Sequence, residues 1–444
     1  MQEINADFHL HGPRSIGVSK NMDLPNLVNG ARQKGLQLVA TGDCLQPDWL
    51  KHLKENLEEK NGEFLYKGIN FVLQTEVEDK ESVHEIILLP DFNSIDCMKK
   101  KFRPHSKNLD HEWGGRPRVN LPCAEIVEAV MDCGGLVGPA HVFTPFKSVF
   151  RQGKFDGLED AYGSQAKNVH FLELGLSANS NYADRIKELH RVTFMSNSDA
   201  HAPSPASLGR EFNTFEADSS TFNEVADAIM RKNGRKFTRN VGFDPKLGKY
   251  NVLFCRSCRK RVLVDIDPKE INLLGNTKIT DEFIKVKLSS ENEYKKYLQS
   301  VNSGKIICPS CQREKKKSKI KLGVSERVKV LADLPEGKHP EHRPPYLNSV
   351  PLTEILRVAM GIKSSSSKTL QRIYNDIVDK HGTEINVLIK LDHGKLAKDA
   401  LQEKYGRYPN LFNTLGEIIK TFREEKISFN PGGGGTFGSL LFEA

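Results

Sequence analysis

Residues 7–12 read Asp-Phe-His-Leu-His-Gly, with His9 and His11 two positions apart at the end of a short extended run. In a strand, residues i and i+2 face the same side, so both imidazoles can reach one metal ion. The spacing recurs at Asp199 and His201 in SNSDAH (196–201), directly after another apolar run. Glu76 closes an apolar run over 69–76, and His84 opens the next, HEIILL. His141 follows LVGPA, and Asp43 follows LVATG. A single His-x-His is weak evidence. Two such pairs, with further ligand-type residues mostly at strand ends, point to a multinuclear metal site.

Working outward, residues 1–240 alternate short apolar runs with helical spacing. Strands are expected at 36–41, 69–76, 84–89, 136–140, 169–174 and 193–196. Helices are expected over 23–34 (closed by Gly35), 49–60, 125–133, 181–191 and 222–231. This alternation implies parallel strands with crossover helices, as in a barrel or a doubly wound sheet. In a parallel barrel the strand ends that carry these residues converge on one face. Residues 94–118 form a polar insertion with little apolar periodicity, equally readable as a lid or as a plain surface loop.

The chain has 444 residues and a net charge of +8, with 38% apolar and 27% charged residues. That mixture supports buried cores and is not that of a disordered chain. No apolar run approaches the roughly 20 residues of a bilayer crossing, so no membrane partner is expected. The start of the chain does not read as a secretory signal, and a cytoplasmic protein is expected. Residues 1–240 carry 29 Lys+Arg against 33 Asp+Glu, a net of −4, whereas residues 241–444 carry 36 against 24, a net of +12. A metal-holding front joined to a polyanion-gripping back fits that asymmetry, and so does a merely solvated basic half.

Four of the eight cysteines form two pairs, Cys255-x₂-Cys258 and Cys308-x₂-Cys311. Two tight knuckles delivering four thiolates suit one structural zinc, and the long gap between them calls for a small subdomain. Cys44, Cys97, Cys123 and Cys133 read as buried small apolar residues in a reducing compartment. Lys315, Lys316, Lys317, Lys319 and Lys321 follow the second knuckle, and Arg256, Arg259, Lys260 and Arg261 surround the first. Such a face suits a phosphate backbone. Short helices are expected at 325–334, 353–360, 369–381, 384–390, 393–405 and 411–425. The glycine-rich tail 430–438 reads as a flexible or backbone-close loop.

DFHLHG, ATGD, TEVEDKESVH, GPAH and SNSDAH, in this order, resemble the metal-binding motifs of the PHP (polymerase and histidinol phosphatase) family. The paired cysteines mark a four-cysteine zinc-binding module over 241–322, and the short helical runs of the basic half mark a mainly helical DNA-binding domain over 323–444; the resemblance itself implies a (β/α)7 barrel over 1–240. It implies a divalent metal cluster, of Zn, Mn or Mg, that hydrolyses phosphate esters. His9, His11, Glu76 and Asp199 would hold one metal; Glu76 would bridge to a second held by His84 and His141; His201 and Asp43 would hold a third. Glu173, in ELGLSANS, lies where a further ligand is often found. Asp199, Glu76 and His201 are the expected catalytic residues. Arg210 is a candidate phosphate brace, weighed against an ion pair with Glu211.

GFDPKLGKY, the split CxxC pairs, GVSERVKVLADL, RPPYLNSVPLTEIL and SNSDAHAPSPASLGREFN narrow the likeness to the endonuclease Q family across nearly the whole chain. Members cleave duplex DNA on the 5′ side of deaminated bases (uracil, hypoxanthine, xanthine) and abasic sites. The resemblance therefore implies a DNA substrate and prokaryotic nucleoid association. A sliding clamp is a further partner to consider, although no clamp-binding peptide stands out. The alternatives are a phosphatase acting on a small phosphomonoester and a non-catalytic DNA-binding protein.

Overall fold

Seven short strands of the first 200 residues close into a ring in the computed structural model, which describes residues 1–267, 277–365 and 367–441. They are β1 (Gln2–Asp7), β2 (Leu38–Ala40), β3 (Ile69–Glu78), β4 (His84–Leu89), β5 (Leu136–Pro139), β6 (Phe171–Glu173) and β7 (Thr193–Met195). The pairs β1–β2, β2–β3 and β6–β7 are parallel. The ring continues past β5 where the Val142 N–H donates to the Glu173 carbonyl at 3.0 Å. It closes at a parallel bridge between Leu10 and Ala200. This is the barrel of the expected PHP type. Its strands read as near-continuous apolar runs because both faces are covered. Residues such as Ile4, Leu38, Leu73 and Ile87 are almost wholly buried in one core cluster.

β4 departs from the expected parallel order. It pairs antiparallel with β3, placing Glu76 opposite Ile86, and antiparallel with β5. Only residues 79–83 join β3 to β4, too few for the crossover a parallel neighbour requires. The reversal matters for the site: the start of β4, where His84 sits, lies at the same rim as the end of β3.

Other expectations are corrected locally. The polar insertion contains the helix Phe92–Phe102, capped by the Asp91 side chain on the Ser94 N–H, with Ile95, Met98 and Phe102 buried at helical spacing. Cys97 on this helix and Cys133 at the end of the helix Cys123–Asp132 are joined in a disulfide rather than standing as separate apolar residues. The expected helix over 181–191 reduces to one turn, Ser180–Ala183, and a 3-10 segment, Lys187–Arg191. Between them, Asp184 is drawn into contacts with Arg343 and His339 from far along the chain. The strands Phe212–Ala217 and Lys236–Gly242, unexpected from the sequence, extend the sheet antiparallel beyond β1. The helix expected over 49–60 stops at Asn56 and gives way to a hairpin. The helix expected over 393–405 splits into His393–Ala397 and Leu401–Lys404.

Two further cores follow. One, with Cys255, Cys308 and Cys311 among its buried residues, is built from strands 261–266, 277–279 and 283–288 and the helix Glu291–Asn302. Residues 268–276 of the expected zinc module lie outside the described residues. The other core packs the helices Leu352–Ala359, Lys368–His381 and Leu411–Arg423. The final residues 442–444 of the expected helical domain are likewise outside the described set. The helix Val324–Leu331 packs instead on the barrel, where buried Arg327 donates to the carbonyls of Phe150 (2.6 Å) and Phe155 (3.0 Å). Buried Lys34 of the barrel meets Glu384 at 2.7 Å, and Tyr374 donates to the same carboxylate. The glycine-rich tail is backbone-close: a Cβ on Gly434 would stand 1.7 Å from the Arg259 carbonyl, a contact only glycine permits.

Candidate metal centre

Two histidine–carboxylate groups meet at the barrel rim. In one, ligand atoms of His9, His11 and Asp199 lie within 4.8 Å of one another; in the other, those of Glu76, His84 and His141 do. The i, i+2 relation places the His9 and His11 rings 5.3 Å apart, as strand alternation requires. Asp199 Oδ1 stands 3.1 Å from His11 Nε2 and 3.8 Å from His9 Nε2. Glu76 lies between the groups. Its Oε1 is 2.9 Å from His84 Nδ1, 3.4 Å from His141 Nε2 and 3.6 Å from His9 Nε2, and its Oε2 is 3.6 Å from His11 Nε2. Asp43, His141 and Asp199 all adopt positive φ, at 43°, 33° and 46°. Backbone in that region is held only where surrounding structure over-determines it, and it concentrates at functional sites.

A second tier stands behind the histidines. Glu173 Oε2 is 2.7 Å from His9 Nδ1 and also accepts from Asn197 Nδ2, while its Oε1 accepts the His141 N–H at 3.1 Å. Asp43 accepts from Gly12 N–H (2.7 Å) and Ser15 Oγ (2.6 Å) and lies 3.2 Å from His11 Nδ1. Glu173 and Asp43 thus back the rings rather than join either three-residue group. His201, 38% exposed, packs its ring 4.7 Å from that of His11 and turns Nδ1 to the Asp199 carbonyl. Arg210 makes no ion pair with Glu211; its Nε donates to the Ser198 carbonyl at 2.9 Å, bracing the strand end that carries Asp199.

Burial works against charge on His9, His11 and Glu76, yet the attraction of their neighbours outweighs it. Burial lowers the basicity of His9, but Glu173, Glu76 and Asp199 raise it to about 9. His11 reaches about 10 for the same reasons, through Asp43 and Asp199. Burial pushes the Glu76 carboxyl up, but His84 and Arg116 beside it hold it well below the usual range. Carboxylates that raise the basicity of buried imidazoles this far also attract a divalent cation, which takes the place of the protons. His9 Nε2, both Glu76 oxygens and both His84 nitrogens are buried without a hydrogen-bond partner among the described residues. Their close distances are misaligned for hydrogen bonding, and convergent lone pairs of this kind fit metal coordination. With nitrogen and oxygen donors only, the set suits Zn²⁺, Mn²⁺ or a similar ion.

Three residues at this site were not singled out from the sequence. Asp7 is fully buried and accepts from the Ser198 and Gly209 N–H groups, with its carboxyl raised to about 6 by burial. Its signal was its place in DFHLHG. Asn197 supports Glu173. Arg116, from the polar insertion, brings Nε to 2.7 Å from Glu76 Oε2. The insertion reaches so close that a Cβ on Gly115 would stand 2.0 Å from Ser15 Oγ. Beside the rim a cavity of about 1380 Å³ is lined by His84, Arg116, Arg118, Lys147, Lys80 and Arg103.

The four thiols of Cys255, Cys258, Cys308 and Cys311 form a separate group, again within 4.8 Å of one another. Cys255 and Cys311 sulfurs are 3.6 Å apart, and Cys258 and Cys308 sulfurs 3.7 Å. Zinc–sulfur bonds of ~2.3 Å in a tetrahedron give sulfur separations of about 3.8 Å, so the group fits zinc. Burial raises the Cys255 thiol, but Ser318 and nearby N–H groups outweigh it and hold the thiol near 7. Lys315, Lys316, Lys317 and Lys319 are exposed beside this group, Lys316 meeting Glu314 at 2.9 Å. Arg256 of the first knuckle lies over Phe146, which shares a cavity lining with His141 and Asp199. The basic knuckle therefore abuts the metal rim.

Comparison with known proteins follows this architecture. The family described as MJ0043 C-terminal domain matches residues 351–407. Uncharacterized protein MJ0043 of Methanocaldococcus jannaschii is 34% identical over 310 residues, covering 68% of this chain and 32% of that protein, so the chain spans about a third of that relative. Uncharacterized protein YqxK of Bacillus subtilis is 26% identical over 459 residues, covering 99% of this chain and all of that one. Two crystal structures align over nearly their whole length. The lesion-specific endonuclease PfuEndoQ of Pyrococcus furiosus is 35% identical, with a TM-score of 0.79 and coverage of 99% of this chain and 96% of that one. Endonuclease Q in complex with a 27-mer duplex substrate bearing an abasic lesion at the active site is 35% identical, with a TM-score of 0.80 and coverage of 100% and 97%. With the fold, the rim and near-complete coverage at this identity all in agreement, the chain belongs to the endonuclease Q family.

Proposed function

We propose that this protein is a metal-dependent DNA repair endonuclease that hydrolyses the phosphodiester on the 5′ side of deaminated bases (uracil, hypoxanthine, xanthine) and abasic sites. The observation that carries the reading is Glu76, buried between two histidine groups with neither oxygen in a hydrogen bond, beside a broad basic cavity. A small phosphomonoester needs no cavity of that size. His9, His11, Asp199 and Glu76 would hold one divalent ion, and His84 and His141, with Glu76 between the two groups, would hold a second. His201 stands at the open side, where it would meet a third ion or the substrate phosphate. Asp43 and Glu173 fix the ring orientation of His11 and His9, as carboxylates behind metal-ligating histidines commonly do. Ions held there supply Lewis-acid polarisation of the phosphodiester and lower the pKa of an attacking water.

The protein's own residues bind and orient the strand. Arg116 faces the rim and places its charge where the scissile phosphate's oxygens arrive. Lys80, Arg103, Arg118 and Lys147 line the cavity along which the backbone runs, and the exposed lysines of the four-cysteine module extend that contact through a structural zinc fold. No helix among the described residues is long and apolar enough to cross a membrane; nucleoid association and a sliding-clamp contact are part of the proposal.

Purified protein with Mn²⁺ or Zn²⁺, incubated with labelled duplexes containing one deoxyuridine, one deoxyinosine or one abasic site, should give a nick 5′ of the lesion that EDTA abolishes. Hydrolysis of p-nitrophenyl phosphate alone would replace the reading with a phosphatase, and binding without turnover would replace it with a DNA-binding protein.

A further inference from the structure

Ile16 is 81% exposed, the most exposed of the large apolar side chains among the described residues. A single exposed apolar residue ordinarily needs no explanation. The placement of this one is not ordinary. It sits on the loop that leaves His11 and is tied down on both sides. Ser15 Oγ donates to Asp43 at 2.6 Å, and the Ser19 N–H donates to the His201 carbonyl at 2.8 Å. The Gly115 N–H meets the Arg14 carbonyl from the insertion at 3.3 Å. The loop is thus anchored to the metal rim while its tip stands free.

The tip also separates two cavities. Ile16 lines the basic cavity of about 1380 Å³ that holds Arg116 and Arg118. Gly17 lines a second cavity, about 540 Å³, with His141, Asp199, His201, Tyr250 and Phe437 around it. His84 and Lys147 line both, so the two cavities adjoin at the metal rim. Trp113, 42% exposed, shares the first cavity's lining.

We propose that Ile16 is a positioning residue that acts as a wedge: it enters the base stack next to the lesion and holds the two flanks of the strand in the two separate cavities, with the scissile phosphate at the rim between them. A β-branched side chain is stiff about χ1 and keeps its shape when pressed into a stack. Apolar side chains inserted between base steps unstack and kink duplex DNA. An anchored loop resists the reaction force where a free loop would yield. The inference rests on the endonuclease reading above.

The test uses the metal-loaded full chain and a duplex with one abasic site beside a 2-aminopurine, together with the same lesion inside a mismatched bubble. The wild type should raise 2-aminopurine fluorescence on binding the duplex and nick both substrates. Ile16→Ala should lose the fluorescence rise and nick the duplex at least about tenfold more slowly, with bubble cleavage unchanged; Ile16→Leu should restore both. Because the side chain is exposed, its removal leaves folding intact. An undiminished fluorescence rise and duplex rate in Ile16→Ala would overturn the wedge, as would an equal loss on duplex and bubble. If the wild type leaves the bubble uncut, the fluorescence decides alone. A wild type that nicks neither substrate removes the endonuclease reading and the wedge together, a result distinguishable from a failure of the wedge alone.

Discussion

The barrel rim and the cysteine knuckles both gather four or more metal-type side chains, but by opposite means. At the knuckles each pair of thiols comes from one tight turn, so only two chain segments need to meet. At the rim the side chains come from positions 9 to 201, carried by the termini of several separate strands, and three of the residues occupy strained left-handed backbone. The knuckle closes on itself and suits a structural ion. The rim keeps Asp199 and His201 partly open to solvent beside two cavities, as an ion that must meet a substrate requires. Local spacing builds a staple, whereas a catalytic rim needs the whole barrel.

Three substitutions press on that contrast. The largest effect is expected from Asp199→Ala, which removes a partly exposed carboxylate from the open side of the rim. Nicking should fall by about a thousandfold or more while DNA affinity and melting temperature stay close to wild type; retained cleavage would take Asp199 out of the site. Next, Cys308→Ser with Cys311→Ser should release about one equivalent of zinc and lower the melting temperature, since binding at such a site is folding free energy. Weaker DNA binding at low salt should accompany the loss, and unchanged zinc content, melting and binding would break the comparison at the knuckle. The smallest is Glu173→Gln, which keeps the shape but weakens the charge behind His9. Metal affinity at the rim should drop about 10- to 100-fold, the usual effect of altering a supporting carboxylate, with the zinc at the cysteine knuckles untouched. An equal change at both sites would mean that the two are not independent.

The rim residues were legible as types and poorly legible as geometry. His9 and His11 share a face because strand alternation is a local rule, and the structure keeps it. That His84 would face Glu76 depended on β4 running backwards, a matter of the five-residue connection rather than of the apolar pattern. Arg116 lies in a segment whose composition reads as polar loop, and only its docking against Glu76 marks it. The helix 92–102 was legible in principle: Ile95, Met98 and Phe102 have helical spacing, but the lysines between them obscured it. The disulfide between Cys97 and Cys133 depends on two helices packing side by side, which spacing along the chain does not reveal.

By itself, the amino-acid sequence determined the donor chemistry, the strand-ended placement of the His and carboxylate groups, and the paired-cysteine knuckles, because each follows from residue type and separations of a few positions. Only the tertiary structure decided which carboxylates stand among the histidines and which stand behind them, how the insertion brings Arg116 to the rim, and where Ile16 stands between the cavities. Those outcomes depend on distances between segments as far apart in the chain as His11 and Asp199, 188 residues, which are set by how the barrel closes and packs rather than by any local preference of the chain.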